Sequence, residues 1–356
     1  MVVNKDFQQT VNKALVLRSV LAEHGITRAA LSRKLGMYRS TVSNLTEHLL
    51  MEGWLRELGT DSKAPGVGRK GTCLAINEKK GVVAGIDIKR KGRYEIVLLS
   101  PLGERLGQTQ GRAHYPQSFS SLLHHILQHA QKEVAPMKRP ILGMGIAVVG
   151  PVDRERQSIV TSPHYADADG FALSSIQPSY DFPLFIENDT HCCAHGKAWQ
   201  DPLADDFAYL YLNSPTTHTR HLAFGLSFRI NGKPYHGAHH LAGEFPRMFT
   251  RRLERDFRDQ IAEILADPAE SHSRFAVSLN HAADDFLNMV QFFDPRTLFL
   301  GHHLERFQPE IESYLASRSS EISFAVDFAG VGPDEAAYGA ACLSLEQVYA
   351  VPNPGA

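Results

Sequence analysis

The sequence predicts three short helices and a hairpin at the N-terminus, followed by an α/β body of two lobes. Two observations favour this division. Residues 1–76 carry eleven Lys and Arg against six Asp and Glu, whereas the rest of the 356-residue chain carries 26 against 33. Beyond residue 81, apolar strand-like runs alternate with helical periods, which is typical of the α/β class. A basic N-terminal arm thus precedes an acidic body.

Composition excludes several other classes of protein. The formal net charge of −2 argues against a uniformly basic coat for nucleic acid, and 21% charged residues with nineteen Phe and eleven Tyr argue against a disordered chain. No apolar run approaches the roughly 20 residues that span a bilayer, so we expect no membrane insertion. Four cysteines form no Cys-x-x-Cys pair, which predicts neither a disulfide framework nor a zinc cage and favours a cytoplasmic protein.

The first 53 residues predict a helix-turn-helix. Apolar periodicity indicates helices over residues 8–24, 28–35 and 39–52, each followed by a glycine. Two short helices joined by a Gly-containing turn form this motif, and its second helix reads the major groove. The third predicted helix would turn its apolar stripe inward and leave polar side chains outside for base edges. The candidate DNA-binding residues on it are Arg39, Ser40, Thr41, Ser43 and Asn44.

A hairpin is predicted after the third helix. Residues 54–58 and 72–76 read as strands, and the tip between them is rich in glycine and cations. Lys63, Arg69 and Lys70 in this tip can approach phosphates or a minor groove. Residues 1–76 are therefore expected to be a winged helix-turn-helix that binds DNA. The alternative is a helical interaction domain with a disordered basic loop.

The body contains the predicted α/β elements. Strands are expected within residues 81–99, 142–152, 184–189, 207–212, 223–230 and 297–300, and helices over 122–134, 275–292 and 333–349. Polar residues follow several of these strands, where α/β folds bind ligands. We place lobe 1 at residues 82–200 and lobe 2 at 201–332, with the helix at 333–349 packing back on lobe 1.

The order of motifs along nearly the whole chain resembles the ROK family (repressor, open reading frame, kinase). The motifs are the wing end Gly66-Val-Gly-Arg-Lys70, Gly143-x-Gly-Ile-Ala-x-x-Gly-Pro-Val-Asp153, Glu187-Asn188-Asp189, Asn231-Gly232-Lys233, Ala242-Gly243-Glu244, Leu300-Gly301 and Tyr338-Gly339. The resemblance implies a two-lobed, actin- and hexokinase-like (ribonuclease H-like) domain. Members with a DNA-binding arm are sugar-responsive regulators of the Mlc and NagC type, and members without it are sugar kinases.

Departures from the family pattern argue against catalysis. The first phosphate motif, Asp-x-Gly-x-Thr, reads Asp87-Ile-Lys-Arg-Lys91, and the second keeps only Gly225 within residues 221–227. We therefore expect no ATP binding, no catalytic residue and no cofactor. Arg247 stands where the family has its zinc-binding His, and no cysteine lies between Cys193 and Cys342. We predict no metal site.

The resemblance also supplies the candidate effector site. Asn188 and Asp189 match the pair that holds adjacent sugar hydroxyls, Asp189 being the base in the kinases, and Glu244 matches a sugar-binding carboxylate. His164 and His239 stand where the family usually has Asn. The predicted effector-binding residues are Gly150, His164, Asn188, Asp189, His239, Glu244 and Arg247. An alternative is that Asn188 and Asp189 only cap a helix that begins near Thr190.

These expectations describe a cytoplasmic repressor of carbohydrate uptake or catabolism genes. It would bind double-stranded operator DNA as a homodimer or a dimer of dimers, and a small sugar or sugar derivative between its lobes. Arg247 would favour an anionic ligand, but a plain surface Arg explains it equally well. Two alternatives stay open. One is a ROK sugar kinase with an accessory DNA arm, supported by Asp87 and Asp189, and the other is a regulator with an empty pocket that responds to a protein partner.

Overall fold

Three helices and a three-stranded sheet form an N-terminal arm. The computed structural model describes residues 5–60, 71–113, 118–213, 223–244, 283–284 and 287–352. The arm contains α1 (Lys5–Ala22), α2 (Arg28–Leu35), α3 (Arg39–Met51), β1 (Ile26–Thr27), β2 (Leu55–Thr60) and β3 (Thr72–Ile76). The strands pair antiparallel in the order β1-β3-β2. The predicted helices and both hairpin strands are confirmed with ends that shift by a few residues.

Local chemistry explains the bounds of α2. The Thr27 hydroxyl accepts a hydrogen bond from the Ala30 N–H at 3.3 Å, as an N-cap does, and Gly36 ends the helix with a φ of +64°. The third helix turns Val42, Leu45 and Leu49 into the arm's core, as its apolar period predicts.

The first sheet of the body belongs to lobe 1. Its strands are β4 (Val82–Ile88), β5 (Arg93–Leu99), β6 (Arg105–Arg112), β7 (Ile141–Val148) and β10 (Leu184–Asn188), and a short hairpin of β8 (Val152–Asp153) and β9 (Ser158–Ile159) lies between the last two. The order is β10-β7-β4-β5-β6, with β10, β7 and β4 parallel and the others antiparallel. One face is covered by α4 (Phe119–Val134), and the opposite face by α5 (Asp189–Gln200) and α8 (Glu335–Val348).

The second sheet repeats this arrangement in lobe 2. Its strands are β11 (Phe207–Asn213), β12 (Ala223–Ile230), β13 (Lys233–Tyr235), β14 (Thr297–Leu300) and β15 (Ala325–Phe328), in the order β13-β12-β11-β14-β15. Strands β11, β14 and β15 are parallel, and β12 pairs antiparallel with both β11 and β13, as in lobe 1. Two helices, α6 (His302–Glu305) and α7 (Gln308–Ser317), accompany it. The predicted helix at 275–292 lies largely outside the described residues, although 287–293 are helical.

Close backbone contacts hold α8 against lobe 1. A Cβ at Gly85 of β4 would lie 1.9 Å from the Ala337 carbonyl oxygen, and a Cβ at Gly145 of β7 would lie 1.9 Å from that of Ala340. Only glycine permits these approaches, so α8 packs directly against the backbone of the sheet. None of the described helices is long and apolar enough to cross a membrane.

Candidate functional site

Two parallel strands of lobe 1 end beside each other at the candidate effector site. Residues Val148 of β7 and Asn188 of β10 are register partners, so Gly150 and Asp189 emerge at the same sheet edge. The Asn188 Nδ2 donates to the Gly150 carbonyl at 3.1 Å and lies 3.4 Å from Glu244 Oε1. Glu244 comes from lobe 2, on the segment 236–244 that follows β13. The structure thus brings four of the seven predicted effector-binding residues together between the lobes.

Asn188 also has a structural role at the start of α5. Its Oδ1 accepts hydrogen bonds from the backbone N–H groups of Thr190 at 2.9 Å and His191 at 3.2 Å, so Asn188 is the N-cap of α5. The helix-cap alternative therefore describes this oxygen, which is no longer free to accept from a sugar hydroxyl. A ligand can compete only for the Nδ2 hydrogens, by displacing Gly150 or Glu244.

Burial and neighbouring charges raise the pKa values of three carboxyl groups at this site. Burial, followed by the charges of Asp87 and Glu244, raises the pKa of Asp189 well above its ordinary value. Burial also raises the pKa of Asp87 to about 6 and raises the pKa of Glu244. Protonated carboxyls donate hydrogen bonds and ionised ones accept them. The group can therefore both donate to and accept from the hydroxyls of a polyol.

Lys89 neutralises part of this charge. Asp87 and Glu95 lie opposite each other on β4 and β5, and the Lys89 Nζ is 3.5 Å from Asp87 Oδ2 and 2.8 Å from Glu95 Oε2. Like charges directly opposite on neighbouring strands repel, and an ammonium group between them removes that cost. Lys89 occupies a motif position at which the kinases have glycine, and its charge opposes binding of a metal ion at Asp87.

Lobe 2 also closes on the start of α5. A Cβ at Gly225 of β12 would lie 1.8 Å from Thr190 Oγ1, so the one glycine left of the second phosphate motif is already in contact with protein. Nearby, the Ser227 Oγ is 2.8 Å from His191 Nδ1. Burial lowers the pKa of His191 to about 3, which keeps its imidazole neutral at physiological pH.

A buried carboxylate links the lobes beneath the site, and the sequence motifs assigned it no role. Glu187 Oε2 lies 2.9 Å from His236 Nε2 of lobe 2 and 3.3 Å from Arg154 Nε of lobe 1. Burial opposes ionisation, but the His236 hydrogen bond and the surrounding positive charges hold the pKa of Glu187 at about 2. We call Glu187, His236 and Arg154 the interlobe latch. His236 begins the segment that carries Glu244, so the latch positions that carboxylate.

The remaining predicted effector residues differ in placement. A Cβ at Gly150 would lie 2.4 Å from the Thr161 carbonyl oxygen, so the two backbones are in close contact. His164 lies three residues after Thr161. Burial and Arg90 lower the pKa of His164 to about 4, and its buried Nδ1 has no hydrogen-bond partner among the described residues. His239 is exposed on the 236–244 segment, and Arg247 lies outside the described residues.

The five candidate DNA-binding residues of α3 lie on its outer face. Arg39, Ser40, Ser43 and Asn44 are exposed and Thr41 is half-buried. Lys63, Arg69 and Lys70 lie outside the part of the chain that is described. A residue that the motifs did not assign fixes the orientation of α3, because Arg28 donates to Thr46 Oγ1 at 3.1 Å and to Glu57 Oε1 at 2.9 Å.

A metal centre has no support in the described part of the chain, where no three His, Cys, Asp or Glu side chains are grouped so that they could hold an ion. Three of the four cysteines, Cys192, Cys193 and Cys342, are buried, and all four are free thiols. The prediction that the family's zinc site is missing still rests on Arg247 and the cysteine spacing in the sequence.

Two sheets of one topology, with polar residues at the strand ends between them, define a two-lobed α/β domain. Residues 86–254 match the sequence profile of the ROK family. This part of the chain is a ROK family domain, in agreement with the motifs found in the sequence.

Curated relatives include xylose repressors of two bacteria. That of Caldicellulosiruptor bescii is 28% identical over 244 residues, which cover 68% of this chain and 59% of the relative. That of Bacillus subtilis is 28% identical over 250 residues, which cover 69% of this chain and 62% of the relative. The match therefore spans about three fifths of the relatives' length.

Solved structures share the fold. A ROK family transcriptional regulator described as a homologue of the Escherichia coli Mlc protein superposes with a TM-score of 0.68 at 16% identity and covers 97% of each chain. A ROK family glucokinase of Streptomyces griseus, solved with glucose and AMPPNP, superposes with a TM-score of 0.54 at 16% identity over 74% of this chain and 99% of its own. At this identity the likeness concerns the fold, which regulators and kinases have in common.

Proposed function

We propose that this protein is a sugar-responsive transcriptional repressor. Its winged helix-turn-helix arm, residues 1–76, binds double-stranded operator DNA, and a small sugar or sugar derivative binds between lobes 1 and 2. The proposal rests on two features that occur together in this chain, one in the arm and one between the lobes. The arm presents a polar outer face on α3, and the cleft keeps sugar-binding carboxyls without free phosphate-binding glycines.

The arm supports the DNA-binding half of the proposal. Arg39 and Asn44 are exposed on a helix whose opposite face is buried, and these side-chain types form bidentate contacts with guanine and adenine. The cations of the hairpin tip supply phosphate contacts. Two arms related by the twofold axis of a homodimer read palindromic half-sites.

The cleft supports the sugar-sensing half. Carboxyl groups of mixed protonation are suited to a ligand with several hydroxyl groups, and the Asn188 amide can add a donor. The xylose repressors among the relatives make D-xylose the first effector to test. Sugar binding changes the angle between the lobes and hence the position of the arms, provided that the sugar prefers one of the two states.

Sugar kinase activity is the alternative function. Asp189 keeps the position of the kinase base and the glucokinases share the fold. Two contacts argue against kinase activity. Lys89 forms an ion pair with Asp87, and Gly225 packs against Thr190. An ATP-coupled assay with a panel of sugars separates the two functions. Turnover that Asp189→Asn abolishes would establish a kinase, and absence of turnover agrees with the proposed repressor.

A gel shift with the DNA that flanks the protein's own gene tests the proposal. We expect a specific complex that D-xylose, L-arabinose, D-glucose or D-mannose dissociates. Arg39→Ala should weaken the specific complex by about tenfold, the loss of one good base contact. Arg112→Ala is the matched control, because it removes the same charge from an exposed position on β6 of lobe 1. If both variants weakened the specific complex equally, the assignment of α3 as the helix that reads the operator would be wrong.

A further inference from the structure

Three aromatic rings join the arm to lobe 1. The Trp54 ring lies edge to face with that of Tyr349 at a centroid distance of 6.4 Å, and the Trp199 ring stacks on Tyr349 at 6.3 Å. Tyr349 is 3% exposed and its hydroxyl donates to the Pro101 carbonyl at 2.9 Å. We call Trp54, Trp199 and Tyr349 the aromatic junction. It comes from three distant parts of the sequence, and the proposed function has not used it.

Trp54 is firmly attached to the arm. It lies between the end of α3 and the start of β2, and its carbonyl accepts from the Asn77 N–H at 2.8 Å. The Asn77 side chain donates to the Gly53 carbonyl at 2.9 Å. The Lys80 Nζ donates to the Glu52 carbonyl at 2.8 Å and lies 5.0 Å from the centre of the Trp54 ring. The segment between arm and body is therefore bonded to the arm, and a tilt of the arm moves Trp54.

Helix α5 connects the candidate effector site to the aromatic junction. Helix α5 starts with Asp189 and carries Trp199 as its eleventh residue. At 1.5 Å per residue, the ten steps from Asp189 in the cleft to Trp199 in the aromatic junction cover about 15 Å. A rigid helix transmits a displacement of its first turn to its last.

Helix α8 moves with α5. A Cβ at Gly339 of α8 would lie 1.7 Å from the Cys192 carbonyl oxygen of α5, and a Cβ at Gly196 would lie 3.0 Å from the Tyr338 ring. Tyr349 directly follows α8. Helices in such close contact do not slide past each other without repacking, so Trp199 and Tyr349 shift as one unit.

We propose that the aromatic junction is the positioning element that transmits effector binding from the cleft to the DNA-binding arm. Sugar at Asp189 displaces the paired helices α5 and α8, and Tyr349 moves Trp54 and with it the arm. This inference rests on the proposed function and adds the route of regulation. Tyr349 touches neither sugar nor DNA, so its role is to couple the two binding equilibria.

The chain provides its own reporter for this movement. It contains only two tryptophans, Trp54 and Trp199, and both belong to the aromatic junction. Titration of the full-length protein with D-xylose, or with whichever sugar of the panel dissociates the operator complex, should change the intensity or wavelength of tryptophan emission. The change should saturate at the sugar concentration that dissociates the operator complex. Asp189→Asn should show no change.

The decisive experiment measures operator affinity with and without saturating sugar. In the wild-type protein, sugar should weaken operator binding by at least about fivefold, the lower end of usual allosteric coupling. Tyr349→Leu removes the ring that links the two tryptophans and should reduce this ratio to within about twofold, while operator affinity without sugar and sugar affinity by calorimetry stay close to wild type. Tyr349→Phe keeps the ring and should keep the ratio. Phe292→Leu, at a position 86% exposed in lobe 2, is the control for loss of an aromatic ring elsewhere.

The outcomes separate the coupling from the proposed function. A wild-type ratio above about fivefold that persists in Tyr349→Leu would overturn the role of the junction and leave the repressor intact. Unchanged tryptophan emission during sugar-induced operator release would overturn it as well. A wild-type protein that binds no operator, or that no sugar releases, would overturn the proposed function and the coupling together. Trp54→Leu tests the same link from the arm if Tyr349→Leu does not fold.

Discussion

The interlobe latch should make a large, pH-dependent contribution to stability through Glu187. Its carboxylate is fully buried, hydrogen-bonded to His236 at 2.9 Å and close to Arg154. Its pKa falls from 4.5 to about 2 on folding. Since each pKa unit corresponds to 1.36 kcal/mol, ionised Glu187 stabilises the folded state by about 3 kcal/mol at pH 7. Glu187→Gln should lose roughly this amount.

The sign of the pH dependence follows from the lowered pKa. The stabilisation is complete above the unfolded pKa of 4.5 and disappears as the pH falls through about 2. Urea unfolding of wild type and Glu187→Gln should therefore differ by about 3 kcal/mol at pH 7 and by about 1 kcal/mol at pH 3. Glu155→Gln, an exposed acid on the loop after β8, is the matched control and should change little at either pH.

A double-mutant cycle with His236→Ala isolates the contact between the lobes. A hydrogen bond to a charged group contributes about 1.5–3 kcal/mol, so the two substitutions should be non-additive by that amount. Additive effects, or a Glu187→Gln loss that is the same at pH 7 and pH 3, would refute the argument that this buried pair links the lobes.

Three further predictions concern single positions. Burial and neighbouring carboxyls raise the pKa of Asp189, so Asp189→Asn should increase the melting temperature relative to wild type. This increase should grow as the pH rises above 3.8. An increase that becomes smaller as the pH rises would contradict the prediction. Gly85→Ala should cost about 1–3 kcal/mol in urea unfolding, because its Cβ would clash with the Ala337 carbonyl, whereas Gly107→Ala, with 3.8 Å to its nearest neighbour, should cost little. Thr27→Ala removes the cap of α2 and should cost about 1 kcal/mol, with weaker operator binding by gel shift; unchanged stability would mean that the cap contributes nothing.

Local signals were sufficient to predict the three helices and the two hairpin strands of the arm, but not the short strand β1. Gly36 ends α2 as the sequence predicts, and Thr27 caps its start. The apolar period of α3 likewise predicted which of its side chains face the core. Strand β6 was not predicted, because its sequence Arg-Leu-Gly-Gln-Thr-Gln-Gly-Arg is polar and its pairing with β5 compensates for weak propensity.

The candidate site was predictable only in part. Motif order identified the residues that meet between the lobes. It could not show that the Asn188 side chain also caps α5, because this depends on the direction of that side chain. The ion pair of Asp87 and Lys89 could have been anticipated, since residues two apart at a strand end share a face. Glu187 with His236, and Trp54 with Tyr349, are far apart in sequence and meet only through the topology of the lobes.

In the proposed function, a sugar bound in the cleft releases the arm from DNA. Fluorescence anisotropy of a labelled operator fragment, taken from the DNA that flanks the gene, measures this directly when the wild-type protein is titrated with and without each sugar of the panel. We predict that at least one sugar raises the operator Kd by about fivefold or more, and that Asp189→Asn binds the same operator but no longer responds. No specific binding to the operator, or a Kd that no sugar changes, would contradict the account.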